Sequence, residues 1–352
     1  MGLRLAWACT SVAVVTGSLA IVAACGSRTG LDLPLRSVDD RDAQVGDDGA
    51  TGFDGFPGFD SFPGFDAGPD APGPQPLQCA DAGTDYIYVI DETNNLYSFY
   101  PAANGGLGEF NLVGTIDCPA PVGAEPFSMA VDHKGVAYVV FSNQVGLGLD
   151  GGEVYGAGDG NLYRVSTRNA ACEATPFIPH QKGFPRFGMG FVASTDDAGN
   201  GIETLYVASD TPAGTPSELG IIDLTTFVVH EVSTFGAAGG GVPVFMAELT
   251  STADGRLFGF FAPDNSSEPS YIIQIDPRTA AVKSTVELPG VEEGSGWAFG
   301  FWGGNFYTFT APDGTSVVTR YNPSDGSVVQ LQPAPGGALI VGAGVSTCAP
   351  QE

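Results

Sequence analysis

A repeated pair of short apolar segments dominates the chain from residue 79 onward. The first segment of each pair has a small residue near its centre, and the second is β-branched or aromatic and ends in turn residues. By alignment the first segments are 127–131, 187–191, 244–248, 297–301 and 339–343, and the second are 96–101, 162–166, 219–223, 272–277 and 318–323. Short runs of this kind between Gly, Asp, Asn and Pro predict an all-β fold.

The aligned first segments share two further features. The three methionines after the initiator, Met129, Met189 and Met246, fall at one aligned position. The next position holds a small residue in every repeat, namely Ala130, Gly190, Ala247, Gly300 and Gly342. This pattern predicts that another part of the chain lies close against each first segment.

The repeats resemble those of the broad superfamily of PQQ-like, NHL and YVTN β-propellers. The resemblance implies a β-propeller of five blades with four strands each, and intervals of about 42 to 60 residues suit such blades. The chain enters the first blade at residues 86–91, which align with second strands. Residues 339–346 align with innermost strands, so we expect the C-terminus to complete the first blade and remove an open sheet edge.

Four cysteines lie in this domain and allow three pairings. Closure of the ring by the C-terminus predicts a disulfide between Cys79 and Cys348, which leaves Cys118 to pair with Cys172. Free thiols or a metal site are the alternatives, but no two of the four have zinc-finger spacing.

The N-terminus has the pattern of an export signal. Residues 5–24 are mainly apolar and follow Arg4, which is typical of a secretory signal peptide, with a transmembrane anchor as the alternative. The stretch ends in Val-Ala-Ala-Cys at Cys25, which resembles the bacterial lipobox. The resemblance implies cleavage before Cys25, lipidation of its thiol and attachment to a membrane. Gly26 then implies the outer membrane, with the protein exposed to the periplasm or the cell surface.

The segment between the predicted signal peptide and the propeller has a composition of its own. Residues 25–31 and the Asp-Ala-Gly-Pro-rich stretch after them resemble myxobacterial surface lipoproteins. Residues 26–78 hold ten Asp and three Arg, and they show no hydrophobic periodicity. We therefore expect a disordered acidic linker, because nothing in it can form a core, and a collagen-like triplet pattern is the weaker alternative. The predicted boundaries are 1–24 for the signal peptide, 25–78 for the lipidated linker and 79–352 for the propeller.

Charge and composition exclude some functions. The chain has 13 Lys and Arg against 40 Asp and Glu, a net charge of −27, which repels nucleic acid. It holds three histidines and no recognisable nucleophile, phosphate-binding or dinucleotide motif. We therefore expect no catalytic residue and no required cofactor. We predict a monomeric binding or scaffolding module for a protein or glycan partner, with a calcium-dependent propeller lactonase, lyase or glycosidase, or an inert surface or coat component, as alternatives.

Ligand contacts are predicted on two loops at the face that carries the connections between blades. Residues 143–160 contain Glu153, and residues 178–186 contain His180, Lys182 and Arg186, a positive spot in an acidic domain. Such a spot suits an acidic ligand group. The alternative is that these cations only pair with the neighbouring acidic loop.

Two other groups of residues attract attention in the sequence. Asp196, Asp197, Asn200 and Glu203 resemble a partial calcium loop, although Ala198 occupies a ligand position and an acidic turn is the competing interpretation. Trp297 is expected in the core, whereas Trp302 beside two glycines is the candidate for a channel mouth.

Overall fold

The computed structural model describes residues 75–79, 83, 85–143, 145–147, 153–155, 160–210, 215–263 and 269–352. The predicted signal peptide, Cys25 and most of the predicted linker lie outside the described residues. No helix in the described part of the chain is long and apolar enough to cross a membrane.

Twenty of the strands form five four-stranded antiparallel sheets. The first half of the chain supplies β1 (Ile87–Asp91), β2 (Asn95–Tyr100), β3 (Glu109–Thr115), β4 (Glu125–Val131), β5 (Val136–Ser142), β6 (Val145–Leu147), β7 (Glu153–Tyr155), β8 (Asn161–Ser166) and β9 (Cys172–Ala174). The second half supplies β10 (Phe187–Thr195), β11 (Gly201–Ser209), β12 (Glu218–Asp223), β13 (Val228–Thr234), β14 (Glu248–Ser251), β15 (Leu257–Phe261), β16 (Ser270–Ile275), β17 (Val282–Leu288), β18 (Trp297–Trp302), β19 (Asn305–Thr310), β20 (Val317–Asn322), β21 (Ser327–Pro333) and β22 (Ile340–Val345).

The five sheets are the blades of a β-propeller. From the innermost strand outward, their orders are β22-β1-β2-β3, β4-β5-β8-β9, β10-β11-β12-β13, β14-β15-β16-β17 and β18-β19-β20-β21. Strands β6 and β7 form a separate ribbon within the second blade. Three short 3-10 turns, Ala103–Gly105, Gly239–Gly241 and Pro335–Gly337, complete the regular structure described. The predicted fold class and the five-blade count are confirmed.

Burial differs between the strands of a blade, and the outermost strands are the least buried. Every residue of β1 and β15 is buried, because each second strand lies between two neighbouring blades. The outermost strands β3 and β17 are largely exposed. Continuous apolar runs therefore mark second strands, since strands covered on both faces need no alternation of polar and apolar residues.

The ring closes as the sequence predicts. Strand β22 pairs antiparallel with β1, with Ala343 opposite Val89. Disulfides join Cys79 to Cys348 and Cys118 to Cys172, so both predicted pairings are confirmed. The first links the two ends of the domain, and the second links the segment after β3 to the start of β9 in the next blade.

The predicted alignment of the innermost strands is wrong in two blades. Strand pairing makes Leu249 the equivalent of Met129 and Met189, because Leu249 lies opposite Gly259 as Met189 lies opposite Val207. Met246 precedes β14 and has a φ of 32°. The segment 244–247 resembles a strand in sequence because it is mostly buried, yet it belongs to the connection between blades.

The corrected alignment explains the small residues. In chain order the position after Met129 and its equivalents is occupied by Ala130, Gly190, Thr250, Gly300 and Gly344. A Cβ on Gly190 would lie 2.9 Å from the carbonyl carbon of Leu249, and one on Gly344 would lie 2.8 Å from the amide nitrogen of Val131. The predicted crowding is therefore real, and its source is the innermost strand of the adjacent blade.

These contacts also give the strands a common direction. Gly188 approaches Ala247 and Gly190 approaches Leu249, and likewise Gly342 approaches Met129 and Gly344 approaches Val131. Adjacent innermost strands therefore run parallel. Their N-terminal ends meet at one face, called the upper face here, and their C-terminal ends meet at the lower face.

Substituting Gly188 with alanine should destabilise the propeller by about 2 to 3 kcal/mol, because overpacking a close-packed interior has costs of this size. Its Cβ would lie 2.2 Å from the carbonyl oxygen of Ala247, a contact that only a backbone shift relieves. Gly236→Ala is the control, since its Cβ meets nothing closer than 3.5 Å. Guanidinium unfolding of the two variants measures the difference, and equal stabilities would contradict this account of the packing.

Candidate functional site

A cavity of about 120 Å³ opens on the axis at the upper face. By the same measure one water needs roughly 10 to 15 Å³, so the cavity accommodates a small organic ring. The side chains that define it come from the starts of the innermost strands or just before them and are Phe127, Arg186, Glu248, Ser295, Trp297 and Val341. Below it, a cavity of only about 10 Å³ remains between the innermost strands. We call the larger cavity the axial pocket.

Glu248 is the buried carboxyl group of the axial pocket. Glu248 is the first residue of β14 and is only 4% exposed. The equivalent positions in the other blades hold Ser128, Gly188, Ala298 and Gly342, all small, which leaves room for one long side chain. The Ser128 hydroxyl donates to Oε2 of Glu248 at 2.7 Å. Burial raises the pKa of Glu248 well above its usual range.

Glu293 is a second buried carboxyl group, in the loop before β18. Its residue is 6% exposed, and its Oε1 atom has no hydrogen-bond partner. Burial raises the pKa of Glu293 to about 8, while an amide hydrogen bond from Ala262 opposes the shift. Its charge also contributes to the raised pKa of Glu248. Burial therefore favours the protonated, uncharged form of both carboxyl groups.

Arg186 is the cation of the axial pocket. Its Nε donates to Oδ2 of Asp210 in an ion pair whose side chains are 11% and 3% exposed. The guanidinium carbon lies 4.4 Å from the centroid of the Phe127 ring. The ion pair fixes Arg186 at the pocket wall, and its partner is Asp210 in the third blade rather than the acidic loop considered in the sequence.

Trp297 supplies the opposite aromatic wall. It begins β18 at the upper face, is partly exposed, and its indole Nε1 is buried without a hydrogen-bond partner. Trp302 ends the same strand at the lower face, where its ring lies edge-on to Tyr100 at 6.2 Å. Both tryptophans are half-buried against core clusters, as expected for Trp297, but Trp297 rather than Trp302 lines the axial pocket.

Of the other predicted ligand residues, His180 and Lys182 are not among the residues that line the axial pocket. Glu153 lies in β7 of the ribbon, outside the residues whose side chains the structure describes. His180 and Lys182 are exposed and have φ values of 61° and 54°. The two loops do meet, because the amide of Gly160 donates to the carbonyl oxygen of Pro185 at 2.6 Å. Of the three candidates whose side chains the structure describes, Arg186 is the one that lines the pocket.

The Asp196 segment is a hydrogen-bonded hairpin turn. Oδ1 of Asp196 accepts the amides of Ala198 and Asn200, and its Oδ2 accepts the Asn200 side chain. Asp91 makes the same contacts with the amides of Thr93 and Asn95 and with the Asn95 side chain. The motif is therefore a turn device that this fold uses in more than one blade.

The remaining members of the predicted calcium set do not join Asp196. Asp197 is exposed, and Glu203 accepts hydrogen bonds from the amide and ring of His133 and from the Thr347 hydroxyl. Among the described residues no three His, Cys, Asp or Glu side chains converge as metal ligands. Glu203 instead ties the third blade to the second blade and to the C-terminal segment.

The chain enters the propeller at the lower face. The Gly201 amide donates to the carbonyl oxygen of Gln75, and the Gln75 amide donates to Oδ1 of Asn200. A Cβ on Gly201 would lie 2.3 Å from the Leu77 amide nitrogen. The segment 75–79 is thus packed beside the Cys79–Cys348 disulfide, at the face opposite the axial pocket.

Sequence reasoning missed Phe127, Glu248 and Trp297 as members of one site, and it did not single out Glu293. A signal for Glu248 was present, since a glutamate inside an apolar innermost-strand segment is costly unless it has a role or a partner. Glu293 had no comparable signal, because it lies in an irregular loop beside the equally acidic Glu292.

The class of protein is defined by the fold, a five-bladed β-propeller closed between its two ends. No protein-family model matches the chain, and no curated protein is similar to it. Solved structures do match, each at low sequence identity.

Three of them illustrate the likeness. A chain of the nidogen/laminin complex is 10% identical, with a TM-score of 0.43, over 74% of this chain and 97% of that one. A luciferin-regenerating enzyme is 13% identical, with a TM-score of 0.40, over 78% and 80%. Zg3597, a family 117 glycoside hydrolase of Zobellia galactanivorans, is 9% identical, with a TM-score of 0.43, over 69% and 76%. These likenesses concern the fold alone.

Proposed function

We propose that this protein is a lipid-anchored binding module of the bacterial cell envelope whose axial pocket holds one sugar residue of a glycan. The observation that carries the proposal is the pocket itself, with two aromatic walls, Phe127 and Trp297, and the polar groups of Glu248 and Arg186 between them. Small-ligand sites combine apolar walls with a few placed polar groups in this way.

The size of the pocket favours a sugar over a protein surface. A stable protein interface covers roughly 800 Å² on each partner, whereas this site is one concave pocket lined by eight residues. A pyranose ring has apolar faces that pack on aromatic rings and hydroxyl edges that exchange hydrogen bonds. A protruding sugar of a glycan chain therefore suits the pocket.

The protonation states favour binding over glycoside hydrolysis. A hydrolase of the usual type needs one carboxylic acid beside one ionised carboxylate. Burial raises the pKa values of both Glu248 and Glu293, which favours two protonated acids over a pair of one acid and one carboxylate.

The proposed anchor is compatible with an accessible pocket. The chain enters the domain at the lower face through residues 75–79. Attachment through a lipid on Cys25 therefore does not need a contact at the upper face. Incorporation of labelled palmitate into wild-type protein, and its loss in Cys25→Ser, tests the anchor. Equal labelling of the two proteins would rule out lipidation at Cys25.

Removing both aromatic walls should abolish sugar binding. We expect Phe127→Ala with Trp297→Ala to weaken binding at least tenfold, because the ring then loses both stacking surfaces. Titration calorimetry of the full-length protein in detergent micelles against a panel of methyl glycosides and oligosaccharides measures the affinities. Phe110→Ala, in the outermost strand β3, is the control. Failure of the wild type to bind any sugar would overturn the proposal and leave the inert surface component.

A further inference from the structure

A second cavity lies at the lower face, between the fourth and fifth blades, and does not depend on the function proposed for the axial pocket. Its volume is about 350 Å³. Its walls come from β15, β16 and β17 of the fourth blade, from β18, β19 and β20 of the fifth, and from Gln351 near the C-terminus. Phe301 and Gly304, which line it, flank the lower end of β18. We call this cavity the inter-blade cleft.

Aromatic rings form the floor of the inter-blade cleft. Phe306 packs edge-on against Phe258 of the fourth blade, with 4.9 Å between the ring centroids, and against Phe301 at 5.0 Å. Tyr321 is stacked with the same Phe306 ring at 6.3 Å. All four rings line the cleft. Such a floor favours an aromatic ligand, because aromatic pairs gain energy beyond that of the buried area.

The strand register shows how this cleft differs from the equivalent places between the other blades. Phe258 lies opposite Thr250 in β14, and the equivalent residue in the other four blades is a tyrosine, namely Tyr88, Tyr138, Tyr206 and Tyr307. Burial raises the pKa of each of these tyrosines, as expected for hydroxyls withdrawn from solvent. Phe258 brings no hydroxyl, so the fourth blade has an apolar surface at this position.

A second difference concerns Gln274, which lies opposite Phe258. The equivalent residue of the fifth blade is Arg320, opposite Tyr307. The Nε atom of Arg320 is buried, and a Cβ on Gly106 of the first blade would lie 3.7 Å from its Nη1 atom. Between the fifth and first blades, a longer side chain and a loop therefore fill the space that stays open beside Gln274.

The rim of the cleft offers hydrogen bonds but no unpaired charge. In the described part of the chain, the Gln274 side-chain amide and the hydroxyls of Ser284 and Tyr321 have no hydrogen-bond partner. Arg256 is the charged residue among those that line the cleft, and its Nε lies 2.9 Å from Oδ2 of Asp254. A charged ligand would lose hydration here without gaining an ion partner, so the lining favours an uncharged one.

The volume sets the size of the ligand. An apolar cavity of about 150 Å³ holds benzene, and the inter-blade cleft, at about 350 Å³, is large enough for two rings. We propose that the inter-blade cleft binds an uncharged two-ring aromatic compound whose polar group meets Gln274, Ser284 or Tyr321 at the rim. Pockets of this size, with apolar walls and a few polar groups, are typical of small-molecule sites.

Benzophenone is a direct probe, because it is an uncharged two-ring compound that attaches to nearby C–H groups on irradiation. The full-length protein in detergent micelles is irradiated at increasing benzophenone concentrations, and mass spectrometry maps the labelled residues. We expect saturable labelling within 256–258, 272–274, 284–286 and 301–306. We expect about tenfold less labelling by 4-benzoylbenzoate, whose carboxylate would be desolvated without a partner.

Three outcomes of this experiment would overturn the proposal. Labelling that does not saturate, or that is spread over all blades, would show that benzophenone has no specific site in the cleft. Saturable labelling around the axial pocket instead would place the aromatic site at the wrong face. Equal labelling by 4-benzoylbenzoate would contradict the selection of an uncharged ligand.

Filling the cleft with protein atoms should prevent labelling. Ser284 is exposed on β17, and Ser284→Phe should reduce labelling of 301–306 about fivefold, because a side chain then occupies the ligand's space. Gln274→Arg, which copies the fifth blade, is a second variant with the same expected effect. Glu287→Phe is the control, because Glu287 is exposed on the opposite face of the same strand. Unchanged labelling in both cleft variants would show that benzophenone does not enter the cleft.

Discussion

Removal of the Cys79–Cys348 disulfide should lower the free energy of unfolding by about 5 to 6 kcal/mol. The bond closes a loop with a sequence separation of 269 residues. In the chain-entropy model a cross-link stabilises a protein by restricting the unfolded chain, and the effect grows with the logarithm of loop length. The same relation gives about 4 kcal/mol for Cys118–Cys172, whose separation is 54 residues.

The comparison of the two disulfides is the sharpest form of this prediction. Cys79→Ser with Cys348→Ser should be less stable than Cys118→Ser with Cys172→Ser by about 1.4 kcal/mol, the difference of the logarithmic terms. Guanidinium unfolding followed by tryptophan fluorescence measures both. A reversed order would mean that local contacts, rather than loop entropy, decide the contribution of each bond.

Loss of the first disulfide should also have a local signature. Cys348 follows β22 closely, and β22 is the innermost strand of the first blade. The backbone amide hydrogens of Ile340–Val345 should therefore exchange with solvent faster in the Cys79→Ser, Cys348→Ser variant, while those of β14 should stay protected from exchange. Uniform acceleration across all blades would show that the ring opens only as a whole.

Ring closure was predictable because it follows from strand order alone. Residues 86–91 have the continuous apolar character of a second strand. Because no innermost strand precedes them, another part of the chain must supply the innermost strand of that blade. Only the C-terminal segment had an unpaired innermost pattern, and the Cys79–Cys348 bond followed from that topology. This inference needed no side-chain geometry, which is why it survived the misalignment of the innermost strands.

The misalignment has a specific physical cause. Val244, Phe245 and Ala247 are buried like strand residues, but Met246 has a positive φ that interrupts an extended strand. The apolar composition of residues 244–247 indicates that they are buried, but it does not indicate the φ angle of a residue such as methionine. The error mattered, because the correct register places Glu248 at the level of Ser128 and so reveals their hydrogen bond across the axis.

The site itself could be predicted only in part. Arg186 was found because cations are scarce in this acidic domain. Phe127, Glu248 and Trp297 come from three different blades, and only the closed ring brings them together. Trp297 and Trp302 differ by five positions on one strand, so the sequence alone did not show which of them lies at the upper face.

The pH dependence of stability should reveal the buried acids. For Glu293 the unfolded pKa is 4.5 and the folded pKa is about 8. Between these values the unfolded chain has released a proton that the folded chain retains, so stability is fully present below pH 4.5 and falls as the pH rises. The loss is about 1.4 kcal/mol per pH unit and amounts to roughly 4 to 5 kcal/mol over the whole window. Glu248 and Glu203, whose pKa values burial also raises, act in the same direction.

Glu293→Gln should flatten this profile between pH 5 and 8. The amide is nearly isosteric with the acid and cannot ionise, so one proton-linked step disappears. The slope is the informative quantity, because the amide changes local hydrogen bonding and with it the absolute stability. Glu287→Gln, an exposed position on β17, is the control and should leave the slope unchanged. Denaturation of the three proteins at half-unit pH intervals gives the comparison, and parallel curves for wild type and Glu293→Gln would show that Glu293 does not remain protonated in the folded protein.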